Sequence, residues 1–506
     1  MSSQPVTDTH AEADVHLDWT PGVPTPDNPL RWGDRFTTAA AKTLRNTQMR
    51  ANLAKATTTI RNKRGMRVDE TPDWEQLRQD ASRIKNYTMA HLPELLEQLE
   101  RNVVKRGGIV HWARNANEAC QIVHKLITDK GVDEVVKIKS MATQEINLNK
   151  YLEERGIAAW ETDLAEMIVQ LSEDMPSHIV VPAIHRNRAE VQAIFKARMG
   201  DAPAGLGTEP RELTMAARAH LRKKFLSAKV AVSGSNMMIA ETGTCSVFES
   251  EGNGRMCLTL PETLISVVGI EKLVPTFRDA EVFAQLLPRS ATGERMNPYT
   301  SLWTGVTEGD GPQEFHLILL DNGRSTVLGN ETGRQALHCI RCGACMNACP
   351  VYEHTGGHAY GSVYPGPIGS VLTPQLLNTC DHHDPATTLP YACTLCNACF
   401  EACPVAINLP ELLVDQRHKI TEASRHGIPG VWDIAMGVAS RVMDTGDHFA
   451  AATKPLPLAR LLAGSDKRLR KLPWPGSLWT GHHDIPAPPQ RTFRAWWADN
   501  EEEDAR

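Results

Sequence analysis

The stretch YACTLCNACFEACPV, residues 391–405, places cysteines at 393, 396, 399 and 403 and a proline directly after the last. Residues 338–351, HCIRCGACMNACPV, already spell nearly the same phrase, with Cys339, Cys342, Cys345 and Cys349. Each reads C-x2-C-x2-C-x3-C-P. Three thiols at this spacing wrap one corner of an iron-sulfur cubane, and in two-cluster proteins the fourth cysteine of each run ligates the other cluster. Two 4Fe-4S clusters are therefore expected. Cys339, Cys342, Cys345 and Cys403 would hold one, and Cys393, Cys396, Cys399 and Cys349 the other. Structural zinc is the alternative, although it usually takes two separated C-x2-C knuckles rather than four cysteines in so short a run. Gly343, Ala344, Ala348, Ala398 and Ala402 are small enough to let backbone N–H groups approach the sulfides and tune them. The long insert between the phrases holds GGHAYGSVYPGPIG and a helical TPQLLN, which favours a helical two-cluster ferredoxin domain.

Working outward, the 506 residues are 41% hydrophobic and carry a formal charge of -6. That length allows several domains with real cores. The mild charge gives no footprint for nucleic acid, and the basic segment Arg45–Arg67 reads as a solvated helical arm or subunit contact. No apolar run approaches the roughly 20 residues needed to span a bilayer, and the first 36 residues have no signal-peptide pattern. The cytoplasm is the expected location, with peripheral contact to a membrane left open. In a reducing compartment cysteines are metal ligands more often than disulfides, and eight of the twelve lie in the two phrases. Cys120, Cys245, Cys257 and Cys380 stand alone and read as small buried hydrophobes.

Before the cysteines, short apolar runs (GIVHWA, VVKIK, IAAWE, HIVVPA) alternate with amphipathic ones (NEACQIVHKLITDK, TQEINLNKYLEERG, RAEVQAIFKARMG). Such alternation predicts β-α-β units and a mainly parallel sheet. KVAVSGS, MMIAETGTCSVFES and LISVVGI add further strands. EFHLILLDNGRSTVL reads as a hairpin turning at Asp-Asn-Gly-Arg. The expected organisation is an N-terminal arm (1–64), an α/β domain (65–300), a hairpin linker (301–334), the ferredoxin domain (335–413) and a helical, Pro- and Trp-rich tail (414–506).

Within the α/β part, the SGSN and AETGT turns present backbone N–H groups suited to an anion. Neither matches a dinucleotide fingerprint or a P-loop. Three catalytic candidates emerge. Glu241 is read as a partly buried carboxylate, His185 (with Arg186) as following a strand, and Arg255 as a partner for an anion. Lys139 and Ser140 end a strand and read as the cap of the next helix.

The ordered phrases KSMATQEI, PAIHRNR, SGSNMMIAETGT, GNGR, GIEKLVPT, the twin cysteine phrase and INLPELL resemble the iron-sulfur subunit of bacterial L-lactate utilisation, the lactate-utilisation protein B family. The resemblance runs from about residue 65 to 420, with FRAWW beyond. It implies an α/β domain similar to the sugar-phosphate isomerase and CoA-transferase group. It also implies oxidation of L-lactate to pyruvate together with a CCG-motif cysteine-rich protein and a smaller α/β protein of the same type. No CCG motif is present here, and the nucleophile role of a CoA-transferase glutamate is not carried onto Glu241. The expected function is electron transfer through the two clusters to a quinone or soluble carrier. One alternative is a self-sufficient hydroxy-acid oxidoreductase with its pocket in the α/β domain. A redox-sensing or assembly protein is the other.

Overall fold

The computed structural model describes residues 30–424, 431–474, 476–481 and 483–504. The expected N-terminal arm lies partly outside that range. Among the described residues, ten strands organise the first compact unit, which runs through Ala423. They are β1 (Ile109–Ala113), β2 (Glu134–Lys137), β3 (Ala158–Glu161), β4 (Val230–Ser233), β5 (Met237–Ile239), β6 (Thr244–Glu249), β7 (Thr263–Gly269), β8 (Leu273–Val274), β9 (Tyr299–Trp303) and β10 (Glu314–Leu320). Six form one sheet in the order β1-β10-β7-β4-β2-β3, and every pairing in it is parallel. A second sheet, β8-β5-β6-β9, is mixed: β5 runs parallel to β8 and β6 antiparallel to both its neighbours.

Strand alternation sorts the large sheet's side chains onto two covered faces. Val135, Ile265 and Ile318 pack with Ala119, Val123 and Leu148 on one side. Val136, Leu264 and Leu317 belong to the other core, which continues without a break into Met346, Tyr360 and Leu372 of the cysteine region. The α/β and cysteine regions thus share a hydrophobic core. Each large side chain buried there contributes roughly 1.5–3 kcal/mol.

Three expectations need correction. The segment EFHLILL is not half of a hairpin: β10 sits between β1 and β7, paired in parallel with both. Its unbroken apolar run is that of a strand buried on both faces. The left-handed Asn322 (φ 45°) and Gly323 (φ 89°) do turn the chain, but into the helix Arg324–Gly329. The α/β sheet therefore extends past the expected boundary at 300. HIVVPA forms no strand, because local partners absorb its backbone donors. The N–H groups of Val180 and Val181 both donate to the His178 ring at 2.9 and 3.0 Å, while Tyr352 Oη donates to Ser177 O at 2.6 Å. Its apolar content faces the cysteine region instead. Lastly, the basic helix Thr47–Asp69 is no solvated arm. Arg61 donates to Asn347 O at 2.9 Å and Arg64 to Ala402 O at 3.0 Å, placing it against both cysteine phrases.

The second unit, Ser424–Arg506, contains the helices Val431–Met443, Gly446–Thr453 and Phe493–Asp504 among its described residues. Phe493, Trp496 and Trp497 cluster within it at ring separations of 5.8 to 6.4 Å and remain exposed. Among the described residues no helix is long and apolar enough to cross a membrane.

Candidate cluster ligands and an adjoining cavity

The two cysteine phrases fold alike. In each, the residue before the second cysteine is left-handed (Arg341 φ 61°, Leu395 φ 56°), and so is the residue after it (Gly343 φ 73°, Asn397 φ 68°). The N–H of that first left-handed residue donates to the sulfur two positions back, Arg341 to Cys339 Sγ at 3.4 Å and Leu395 to Cys393 Sγ at 3.2 Å. A five-residue helix follows in both, Ala344–Ala348 and Ala398–Ala402. This winding curls the first three thiols inward. The fourth then starts a new direction, because proline follows it.

Cys339, Cys342, Cys345 and Cys403 line one small cavity together with Ile368 and Ile407. Cys349, by contrast, has Cys393 and Cys396 as its neighbouring thiols. Burial, together with neighbouring thiolates, pushes Cys342 and Cys399 up to about 12 and Cys403 to about 11. Eight thiols converging this closely fit iron clusters better than they fit a core, since metal cations at the centre remove the mutual repulsion of thiolates. Of the four solitary cysteines, Cys120, Cys245 and Cys257 are buried as expected and Cys380 is only half-buried.

The first phrase is anchored by buried charges. Arg324 forks onto Glu145 at 2.8 and 2.9 Å and reaches Glu271 at 2.5 Å. Arg341, between Cys339 and Cys342, donates to the other oxygen of Glu271 at 3.2 Å and lies 4.6 Å over the Tyr364 ring. Tyr364 Oη completes the set by donating to Glu145 at 2.6 Å. Burial opposes ionisation of Glu271, but Arg324 and Arg341 win and hold its carboxyl down to about 2. The network ties α/β carboxylates to a cysteine-phrase arginine.

Beside it opens a cavity of about 380 Å³. It lies at the carboxyl ends of β2, β4 and β7, where the chain's progress across the sheet reverses after β3 and ligand sites of open α/β sheets occur. Lys139 and Ser140 follow β2, Gly234 to Asn236 follow β4, and Glu271 and Lys272 follow β7. Arg341 closes the inner end and Asp163, Glu249 and Glu251 stand elsewhere on the wall. Ser140 occupies the cap position of the helix Met141–Glu145 but makes no side-chain capping bond. Lys139 is engaged with Ile179 O. Burial and then Asp163 raise the Glu251 carboxyl to about 7, while burial and Arg341 lower the Lys272 ammonium to about 7.

None of the three catalytic candidates lines this cavity. Glu241 is exposed at the turn between β5 and β6, not partly buried, and accepts from Phe277 N at 3.0 Å. His185 lies in the irregular segment after Pro182 rather than behind a strand. Its ring bonds Asp174 at 3.0 Å and Ser177 at 2.7 Å. Arg186 also sits on Asp174 at 2.5 Å, and His358 bonds Met175 O at 2.7 Å. Three ligand atoms meet here, yet Arg186 already supplies the cation. Arg255 rests against Tyr299 and Ser301. The cavity's own residues, Lys272 and Arg341 above all, were missed. They sat in the quoted phrases GIEKLVPT and HCIRC, but their convergence is tertiary.

Residues 96–320 match the family model described as the LUD domain, and residues 335–407 match the 4Fe-4S dicluster domain. The chain is 42% identical over 477 residues to Lactate utilization protein B of Shouchella clausii, covering 93% of this chain and 98% of that one. It is 42% identical over 472 residues to the Bacillus subtilis protein of the same description, covering 92% and 97%. Among solved structures, a DUF162 family protein from Deinococcus radiodurans matches 45% of this chain and 98% of its own at 16% identity, with a TM-score of 0.26. That last likeness is too slight to argue from.

Proposed function

The chain belongs to the lactate utilization protein B family, and from that premise we propose that it is the iron-sulfur electron-transfer subunit of a complex oxidising L-lactate to pyruvate. The reaction releases two electrons and two protons. Bound 4Fe-4S clusters supply one-electron carriers, which such a complex needs to divide the pair. Cys339, Cys342, Cys345 and Cys403 would hold an inner cluster, and Cys349, Cys393, Cys396 and Cys399 an outer one.

The observation that carries the reading is an asymmetry of burial. Residues 341–347 of the first phrase are buried, whereas residues 394–397 of the second are exposed. In this reading electrons enter beside the α/β cavity and leave at the exposed phrase, the side a quinone or soluble carrier can reach. A CCG-motif cysteine-rich protein and a smaller α/β protein of the same type are the proposed partners, in keeping with the resemblance of the ordered phrases.

Anaerobic reconstitution followed by EPR, with L-lactate as sole reductant, tests the reading. Reduced-cluster signals that appear only when both partners are present are the expected result. Reduction of the chain alone would make it a self-sufficient oxidoreductase, and a chain that takes up zinc but no iron would refute the relay.

A further inference from the structure

The large cavity is polarised. Lys272, Arg324 and Arg341 gather around the carboxylate of Glu271, while Asp163, Glu249 and Glu251 stand together elsewhere on the wall with Lys139 beside them. Arg324 and Arg341 are committed to Glu145 and Glu271. Lys272 is different: half-buried, it forms no hydrogen bond or ion pair with any described residue. It also lines the small neighbouring cavity that contains Cys339 and Lys85. Lys85 is itself occupied, donating to Glu271 O at 2.5 Å. Lys272 is thus a basic group without a hydrogen-bond partner among the described residues, facing an enclosed space next to a thiol of the inner set. The Ser140 hydroxyl, free of the cap role, faces the same space.

A cation alone would suit any anion, but the carboxylates narrow the choice. A polyphosphate or dicarboxylate would bring a second negative group towards Asp163, Glu249 and Glu251, which like-charge repulsion disfavours. A monoanion with one further polar group fits both parts: a carboxylate accepts a hydroxyl's hydrogen bond, and the Glu251 carboxyl, raised to about 7 by burial and Asp163, donates to a keto oxygen when protonated. The volume of about 380 Å³ falls within the range of small-molecule sites.

We propose that this cavity binds a small 2-hydroxy or 2-keto monocarboxylate, with Lys272 taking the carboxylate and Ser140 assisting. The choice of a 2-hydroxy or 2-keto acid rests on the proposed lactate reaction; the choice of a monocarboxylate rests on the cavity's charges. The residues serve as binding groups, placing the ligand beside the Cys339 end of the inner set.

The test is anaerobic isothermal titration of the full-length, cluster-loaded chain with L-lactate, pyruvate, acetate and the neutral amide lactamide. L-Lactate and pyruvate should bind and lactamide should not. Lys272→Met should weaken binding by about tenfold or more, the loss of one charge-assisted contact, and Lys272→Arg should restore most of it. Ser140→Ala, which removes only a hydroxyl, should weaken binding by about threefold to tenfold and serves if Lys272→Met misfolds. Two results overturn the assignment: no carboxylate binds the wild-type chain, or Lys272→Met and Ser140→Ala bind as tightly as wild type. Lys272-dependent binding of acetate without lactate or pyruvate would keep the cavity's role and sink the lactate reading. Lactate-driven reduction with partners, but no Lys272-dependent binding, would do the reverse.

Discussion

The two cysteine phrases share a spacing, a pair of left-handed residues and a five-residue helix, yet they occupy opposite environments. The first is buried in the core shared with the α/β domain, held by Arg341 and flanked by Lys85 and Lys272. The second keeps Cys396 exposed and Cys393 half-exposed. Spacing therefore sets how the first three thiols of each run wind, while the surrounding fold sets which fourth thiol meets them and how exposed each group is. A repeat of motif is not a repeat of role.

Replacing one ligand on each side breaks the comparison most severely. Cys345→Ser and Cys396→Ser should each lose about half of roughly eight irons, measured by metal analysis. Only Cys345→Ser should also lower the urea midpoint sharply, because Cys345 is buried in the shared core. Equal destabilisation by both would mean the phrases are equally structural.

Next in size is the charge network. Arg324→Met strands the buried Glu145 and Glu271, and a broken buried pair of this kind costs about 3–5 kcal/mol. Lys42→Met, which removes the exposed pair with Asp34, should leave the denaturation midpoint almost unchanged, because solvent screens such a pair. Chemical denaturation of the two variants measures the gap.

Acid provides a subtler probe. Burial, partly countered by the Asn347 bond, holds His178 down to about 4 from its ordinary 6.5. The unfolded chain then binds the extra proton first. Stability is full above pH 6.5 and falls as pH drops towards 4, by on the order of 2 kcal/mol between pH 7 and 5. Urea midpoints of wild type and His178→Gln should show a flatter pH slope in the variant. The smallest effect belongs to Glu241→Gln, which should change stability by less than about 0.5 kcal/mol and leave lactate-dependent reduction intact.

What could be read from the sequence divides along the same physical line. The cysteine phrases are local, with every thiol of a run within eleven positions, so spacing alone exposed the winding they share. Strands bounded by amphipathic helices, such as GIVHWA and VVKIK, were legible from periodicity for the same reason. EFHLILL misled because an unbroken apolar run fits any buried strand and does not reveal its neighbours. HIVVPA misled because its apolar side chains serve an interface rather than a sheet. Glu241 sits among apolar letters yet points to solvent from a tight turn. Lys272 and Arg341 are far apart in the chain, and only the packing of the cysteine region against the α/β sheet brings them to one cavity.

The central claim is direction, from the buried phrase to the exposed one. Its most direct test is anaerobic EPR with L-lactate, the two partner proteins and a soluble acceptor, comparing Cys345→Ser with Cys396→Ser. The account predicts that Cys396→Ser still shows reduction of the inner cluster while the acceptor stays oxidised, and that Cys345→Ser leaves the outer cluster oxidised. Acceptor reduction at the wild-type rate in Cys396→Ser, or a reduced outer cluster in Cys345→Ser, would contradict it.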